Sequence, residues 1–268
     1  MSEEEVFELE LWGGATERRY RAARSDVEAM PWGTLTNIPK DIADDARRNW
    51  TVAAFQEHRT GAQCAQALEA LFVCKAPVDI IAGFARFPLD EVVHVELAAR
   101  MADELGGAVE LVHTRADVVR PASAREPLLA AAELVVRTFC VGEALSIPLL
   151  HAAWQAARYP LARAVLARIV RDEAAHGIAG FVFLDWAAPF FGDAERAHLS
   201  RVASDAVAEL HKLWAPIRTR AKTPLTHANG LGWIGDDAYL TLAERSLADK
   251  VIAPLARRGI NATHPATT

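Results

Sequence analysis

A chain of 268 residues with 51% apolar side chains can bury a substantial core, which excludes a disordered or fibrous protein. Its net charge of −6, with no basic run interleaved with aromatics, argues against nucleic-acid binding, and no apolar run approaches the length of a membrane span. Three Cys without a CxxC pair argue against zinc ribbons and iron–sulfur clusters; with the acidic opening Met1–Glu10 they fit a reduced cytoplasm rather than a secretory leader.

The predicted elements are almost all helical. Val6–Leu11 reads as a short strand or arm, and Ala15–Pro39 as a mixed segment broken by Pro31, Gly33 and Pro39. From about Asp41 to Lys75 the chain is Ala-rich, periodic and free of Pro, so one long helix is expected. Pro77 opens the next helical stretch, which Pro88 either kinks or restarts and the Gly106-Gly107 pair ends. Ala108–Arg125 reads as a crossover that includes a short strand. Pro127 opens a third helix to about Arg158, with Pro148 expected to distort it. Pro160 opens a fourth, running to about Ala188 and stopped by Pro189 and Gly192. Asp193 is the expected cap of a fifth helix to about Arg220. Thr223–Gly235 reads as a loop, Asp236 as the cap of a last helix ending before Gly259, and Asn261–Thr268 as a frayed tail. This gives an N-terminal arm (1–40), a helical core (41–190) and accessory C-terminal helices (191–260) packed on the same domain.

Two blocks carry chemistry: Asp90-Glu91-Val92-Val93-His94 and Asp172-Glu173-Ala174-Ala175-His176. On a helix, each places a Glu and a His one turn apart on one face, where both can bind one metal ion. Glu57 precedes Glu91 by 34 residues and Glu143 precedes Glu173 by 30. Each separation fits the climb up one helix and the return down the next to the same height. Nine His in 268 residues give each Glu roughly a 3% chance of a His three positions on, so about one accidental match is expected. Glu195-x-x-His198 is read as that accident, on a solvated face. Two blocks that both carry the preceding Asp have a chance on the order of one in a thousand, so they are read as one design.

The surroundings agree. Glu143 lies in the apolar window Phe139–Ile147, where an unpaired carboxylate must be protonated, paired or metal-bound. Four Glu and two His in one core would repel without cations; two divalent ions would leave a neutral centre. Asp90 and Asp172 are expected behind the opposite histidines, in pairs Asp90–His176 and Asp172–His94 that orient the rings.

Glu57, Glu91, His94, Glu143, Glu173 and His176, with Asp90 and Asp172, resemble the signature of the ferritin-like dinuclear carboxylate superfamily. That superfamily includes diiron oxygenases and oxidases, ribonucleotide reductase small subunits, rubrerythrins and manganese catalases. The resemblance covers about Asp41–Ala188 and implies an all-α, ferritin-like four-helix bundle with additional C-terminal helices. It also implies that Glu91 and Glu173 bridge two metal ions, with Glu57 and His94 on one ion and Glu143 and His176 on the other. Ala98 stands where reductase subunits carry a radical tyrosine. Val93 and Ala175 replace the Arg that often precedes the His in multicomponent hydroxylases. Ile169 stands where one arylamine N-oxygenase family carries an extra His.

Around the centre, Gly61 is expected either to leave room beside one metal or to allow a close helix approach. Cys64 and Cys140 are read as pocket-lining or as inert core residues. Ser146 either reaches the site or bonds its own helix backbone. Ile147 and His151 complete the candidate pocket, and Pro148 frees the Ala144 carbonyl beside it. His58 points away from Glu57, His211 is expected in solvent, and His113 has no assigned role. Phe181, Phe183, Trp186, Phe190 and Phe191 are read as core. The expected activity is an O2-activating non-haem diiron oxygenase or oxidase on a small organic substrate, with two Fe ions (or Mn) and O2 as co-substrate. Ferroxidase or iron-handling action and manganese catalase or peroxidase chemistry are the alternatives. No nucleotide fingerprint is present, so an external electron donor is expected. A homodimer is compatible with such a chain.

Overall fold

The computed structural model describes residues 4–220 and 230–263 and is predominantly helical. The N-terminal arm forms strand β1 (Glu4–Val6), followed by helices α1 (Gly14–Ala22) and α2 (Ser25–Glu28). Helix α3 (Lys40–Val73) follows Pro39 and stops at Lys75, whose φ of 57° turns the chain out of the helix. Next come α4 (Val78–Ala85) and α5 (Phe87–Glu104), with Pro88 in the first turn of α5. Gly106 and Gly107, at φ 106° and 98°, end α5.

The crossover holds β2 (Val112–Thr114) and α6 (Arg115–Val118). β2 pairs antiparallel with β1 in the register Glu4 with Thr114 and Val6 with Val112. The expected strand at Val6–Leu11 therefore begins earlier and is shorter. Phe7 follows it and packs against Phe55, His58 and His113, tying the arm to the outer face of α3.

The third predicted helix is α7 (Pro127–Val135), a π-helical segment (Val136–Glu143) and α8 (Ala144–Ala156) in continuous succession. Pro148 sits inside α8, but the departure from α-helical bonding lies upstream of it, in the segment that ends on Glu143. Wider i→i+5 bonding there changes the phase between α7 and α8. α9 (Pro160–Ala187) and a short 3₁₀ turn (Ala188–Phe190) follow.

α10 (Asp193–Arg220) and α11 (Asp236–Ser246) start one residue after Gly192 and Gly235, so Asp193 and Asp236 occupy the first turn rather than the cap. There their charges favour the positive helix end. A second π segment (Leu247–Ile252) and α12 (Ala253–Ala256) close the described chain. Most of the expected 223–235 loop and the end of the 261–268 tail lie outside the described residues.

α3 packs along α5, and α8 with the π segment packs along α9; α10 lies on the π segment and α7, and α11 lies on α8. Two apolar clusters fill these layers. One gathers Leu71, Phe84, Phe139, Phe183 and Trp214; the other gathers Trp50, Leu97, Met101, Leu161 and Leu166. Along α3, α5 and α9 the chemistry-bearing residues fall between the two clusters, at a polar waist in the core.

α9 approaches the π segment closely at Gly180. A Cβ there would meet Phe139 Cβ and Cys140 Sγ at 2.7 Å each. Gly180→Val is expected to destabilise the fold by roughly 1–3 kcal/mol through overpacking, read as a lower thermal midpoint at unchanged helicity.

Candidate metal centre

Glu57 comes from the middle of α3, Glu91 and His94 from α5, Glu143 from the end of the π segment, and Glu173 and His176 from α9. These six side chains form two groups that could each hold a metal ion: Glu57, Glu91, His94, Glu173 and Glu91, Glu143, Glu173, His176. Glu91 and Glu173 belong to both.

The two shared carboxylates are crossed between the two imidazoles. Glu91 places Oε1 3.0 Å from His176 Nδ1 and Oε2 3.7 Å from His94 Nδ1. Glu173 places Oε1 3.2 Å from His94 Nδ1 and Oε2 3.2 Å from His176 Nδ1. Glu57 Oε2 lies 3.9 Å from His94 Nδ1, and Glu143 Oε2 4.0 Å from His176 Nδ1. Both imidazoles thus turn Nδ1 inward and Nε2 outward.

The outward nitrogens meet the expected aspartates. His94 Nε2 lies 3.2 Å from Asp172 Oδ2, and His176 Nε2 3.6 Å from Asp90 Oδ2. The first is a hydrogen bond; the second is a looser charge contact. Arg86 spans both aspartates, 2.8 Å from Asp90 and 3.4 Å from Asp172, and Arg168 pairs with Asp172. These arginine contacts are what the reading of the sequence missed at the centre. The signal was there: Arg86 and Arg168 each stand four residues before the Asp of a block, so the repeat is Arg-x-x-x-Asp-Glu-x-x-His. At that spacing the pair falls on one helix face.

Burial sets the electrostatics. Glu91, His94 and His176 are wholly buried, Glu143 is nearly so, and Glu57 is partly open toward a cavity. Desolvation, reinforced by the neighbouring Glu91 and Glu173 charges, holds the Glu57 and Glu143 carboxyls well above the usual range. Burial opposes charge on the imidazoles too, but the surrounding carboxylates overcome it. His94 lies well above the ordinary histidine value, and His176 is pushed up to about 12. Burial would raise Glu173, yet the two facing imidazoles hold it far below the carboxylate range. Protons thus do in the bare site what cations could do. Glu91 Oε1 and Oε2, His94 Nδ1, Glu173 Oε2 and His176 Nδ1 are buried and make no hydrogen bond. Inward-facing O and N donors left unsatisfied in this way fit a divalent cation.

A cavity of about 660 Å³ opens on the centre, with Glu57, Glu143 and Glu173 in its wall. Leu145, Leu149, Ile169, Leu210 and Trp214 supply much of its apolar lining. Ser146 also lines it, but its Oγ donates to Glu143 O at 2.9 Å and so bonds its own helix. The other five candidate pocket residues lie outside the lining. Gly61 is a close approach: a Cβ there would come 3.1 Å from Glu91 Cβ. Cys64 and Cys140 are buried core residues. Ile147 fills the space over Gly177, and His151 is exposed beside Trp154.

Three further expectations are corrected. His198 is not on a plain solvated face: it reaches the buried Glu133 at 2.5 Å, while Glu195 accepts from Gly192 N–H. His211 contacts Arg218 and the Trp214 ring. In the aromatic set, Phe183 and Phe191 are buried, but Phe190 is 63% exposed.

No family model matches the sequence, and no curated protein matches it. Among the described residues, no helix is long and apolar enough to cross a membrane.

The shifts set a pH dependence for the metal-free protein. Glu57, Glu143, His94 and His176 bind protons more tightly folded than unfolded, so stability falls as pH rises above their unfolded values, about 4.3 for Glu and 6.5 for His. Glu133 and Glu173 lie low, so their contributions are lost in acid. The thermal midpoint of metal-free protein should peak at weakly acidic pH and decline toward pH 10. Added divalent metal should flatten the alkaline side.

Proposed function

We propose that this chain is a ferritin-like dinuclear carboxylate protein. In this reading α3, α5, α7–α8 and α9 form the four-helix bundle of that superfamily, and α10–α12 are accessory helices. Two ions would be held here, with Glu91 and Glu173 available to both, Glu57 and His94 to one, and Glu143 and His176 to the other. The observation that carries it is the crossing of the two shared carboxylates, one oxygen toward each imidazole. Hard oxygen and borderline nitrogen donors suit Fe(II) or Mn(II).

The activity we infer is O2-dependent oxidation of a small organic molecule by a non-haem diiron centre. Iron bound there would supply redox equivalents to O2, and an external donor would restore them. The chain's own residues do the rest. Asp172 and Asp90 face Nε2 of each imidazole and hold Nδ1 inward. Arg86 and Arg168 neutralise those aspartates on their outer side. The cavity wall would keep a substrate beside Glu57 and Glu143 against apolar side chains. A chamber of about 660 Å³ is far larger than a metal ion or peroxide needs, which favours an organic substrate over ferroxidase or catalase action.

The test is anaerobic titration with Fe(II), read by calorimetry and Mössbauer spectroscopy, followed by O2 exposure with candidate substrates. Two Fe(II) per chain are expected, one for each group. Glu143→Ala should retain one, and Glu91→Ala should lose both. Asp172→Asn should weaken binding about 10- to 100-fold, as loss of a partner behind a ligating His commonly does. Failure to bind a pair of ions would refute the centre. Peroxide disproportionation, or iron oxidation to a mineral core without organic turnover, would refute the oxygenase assignment.

A further inference from the structure

The cavity wall also carries charged side chains outside the Glu/His cluster. Arg59, Arg120, Arg137 and Arg220 line it, against Asp117 and Glu209. Most of these charges are already engaged. Arg120 pairs with Glu209, and Arg220 Nε lies 3.2 Å from Asp236. Asp117 accepts from the Thr114 N–H and hydroxyl at 2.8 Å each. Arg137 donates to the Arg120 carbonyl at 2.8 Å and is attracted by the Glu133 and Glu209 carboxylates.

Arg59 is the exception. Its Nε is buried without a hydrogen bond, and among the described residues no carboxylate lies within ion-pairing distance of it; Asp117 and Glu209 attract it only from farther away. A partly buried guanidinium with no close counter-ion gains from an anion brought to it. It stands two residues after Glu57, about 160° around α3, so the two side chains reach the lining from opposite edges of that helix. Apolar Leu145, Leu149, Ile169 and Leu210 also line the cavity. The carboxylates of Glu57, Glu143 and Glu173 would be matched by the metal ions of the proposed centre and so would not serve as counter-ions to Arg59.

We propose that the cavity selects an organic monocarboxylate, its head held by Arg59 with Arg137 beside it and its apolar body extending toward Glu57 and Glu143. This rests on the cavity being the substrate chamber. A carboxylate matches the planar fork of a guanidinium. One unpaired guanidinium balances one charge, and no Gly-rich phosphate cradle was found in the sequence. With the acid at Arg59, the carbon chain rather than the carboxylate would lie beside Glu57 and Glu143, and O2-dependent oxidation there would fall on carbon.

The test uses the full-length protein with decanoate, decanol and decylamine as probes. Binding is followed by fluorescence of the wall tryptophans Trp50, Trp214 and Trp233, in metal-free and Fe(II)-loaded samples. Decanoate is expected to bind at least about tenfold more tightly than decanol, with decylamine weakest. Arg59→Gln should remove that preference while leaving decanol affinity unchanged, and Arg59→Lys should restore part of it. Equal binding of acid and alcohol, no binding of either, or a preference unchanged in both Arg59→Gln and the Arg59→Gln/Arg137→Gln double variant would overturn the proposal. Should Arg59→Gln fail to fold, the wild-type ranking of the three probes decides. Metal stoichiometry, measured on the same samples, separates the two readings. Acid selectivity without metal uptake sinks only the metal centre; metal uptake without acid selectivity sinks only the anion site.

Discussion

Four carboxylates and two imidazoles share one small volume between two apolar clusters, and the rest of the structure depends on how their charge is balanced. Like charges in a low-dielectric interior repel strongly, so a bare set of ionised side chains could not be held together there. The bare site answers with protons: Glu57 and Glu143 are held toward their neutral form, and His94 and His176 toward their charged form. A pair of divalent ions would displace those protons and satisfy the same geometry. Site occupancy, proton release and fold stability are then one linked equilibrium.

The balance extends outward in layers. Each imidazole faces an aspartate from the opposite block, and the aspartates meet Arg86 and Arg168. Arg168 continues to Asp26 at 2.9 Å, just beyond the N-terminal arm's first helix. The arm and the core are therefore connected electrostatically as well as through Phe7. Such outer contacts fix ring rotation, which decides whether Nδ1 or Nε2 faces the centre.

The cavity meets the centre on the side of Glu57, Glu143 and Glu173, while the Arg86 and Arg168 layer backs the imidazoles. One flank is thus packed and charge-balanced, and the other is open to a chamber. Gly61 lets α3 close on Glu91, and Gly177 and Gly180 let α9 close on α8 and the π segment. The chamber side is walled by larger apolar residues and by α10 and α11, which the sequence showed only as additions.

The Glu/His cluster was legible in the sequence because its members repeat at helical spacing within each helix, a relation that local geometry alone determines. The same holds for the long helix from Lys40, the Pro-led starts and the Gly106-Gly107 stop. The cross-pairing of each Asp with the opposite histidine followed from two similar helix pairs. What lines the cavity was not legible. Gly61, Cys64, Cys140, Ile147 and His151 were nominated by nearness in the chain, but lining depends on helix rotation and on partners far away in sequence. The π segment shifts rotation just before Glu143, and no single residue announces it. The isolated Arg59 likewise emerged only in three dimensions. A guanidinium without a partner is defined by what fails to approach it, and sequence spacing carries no such information.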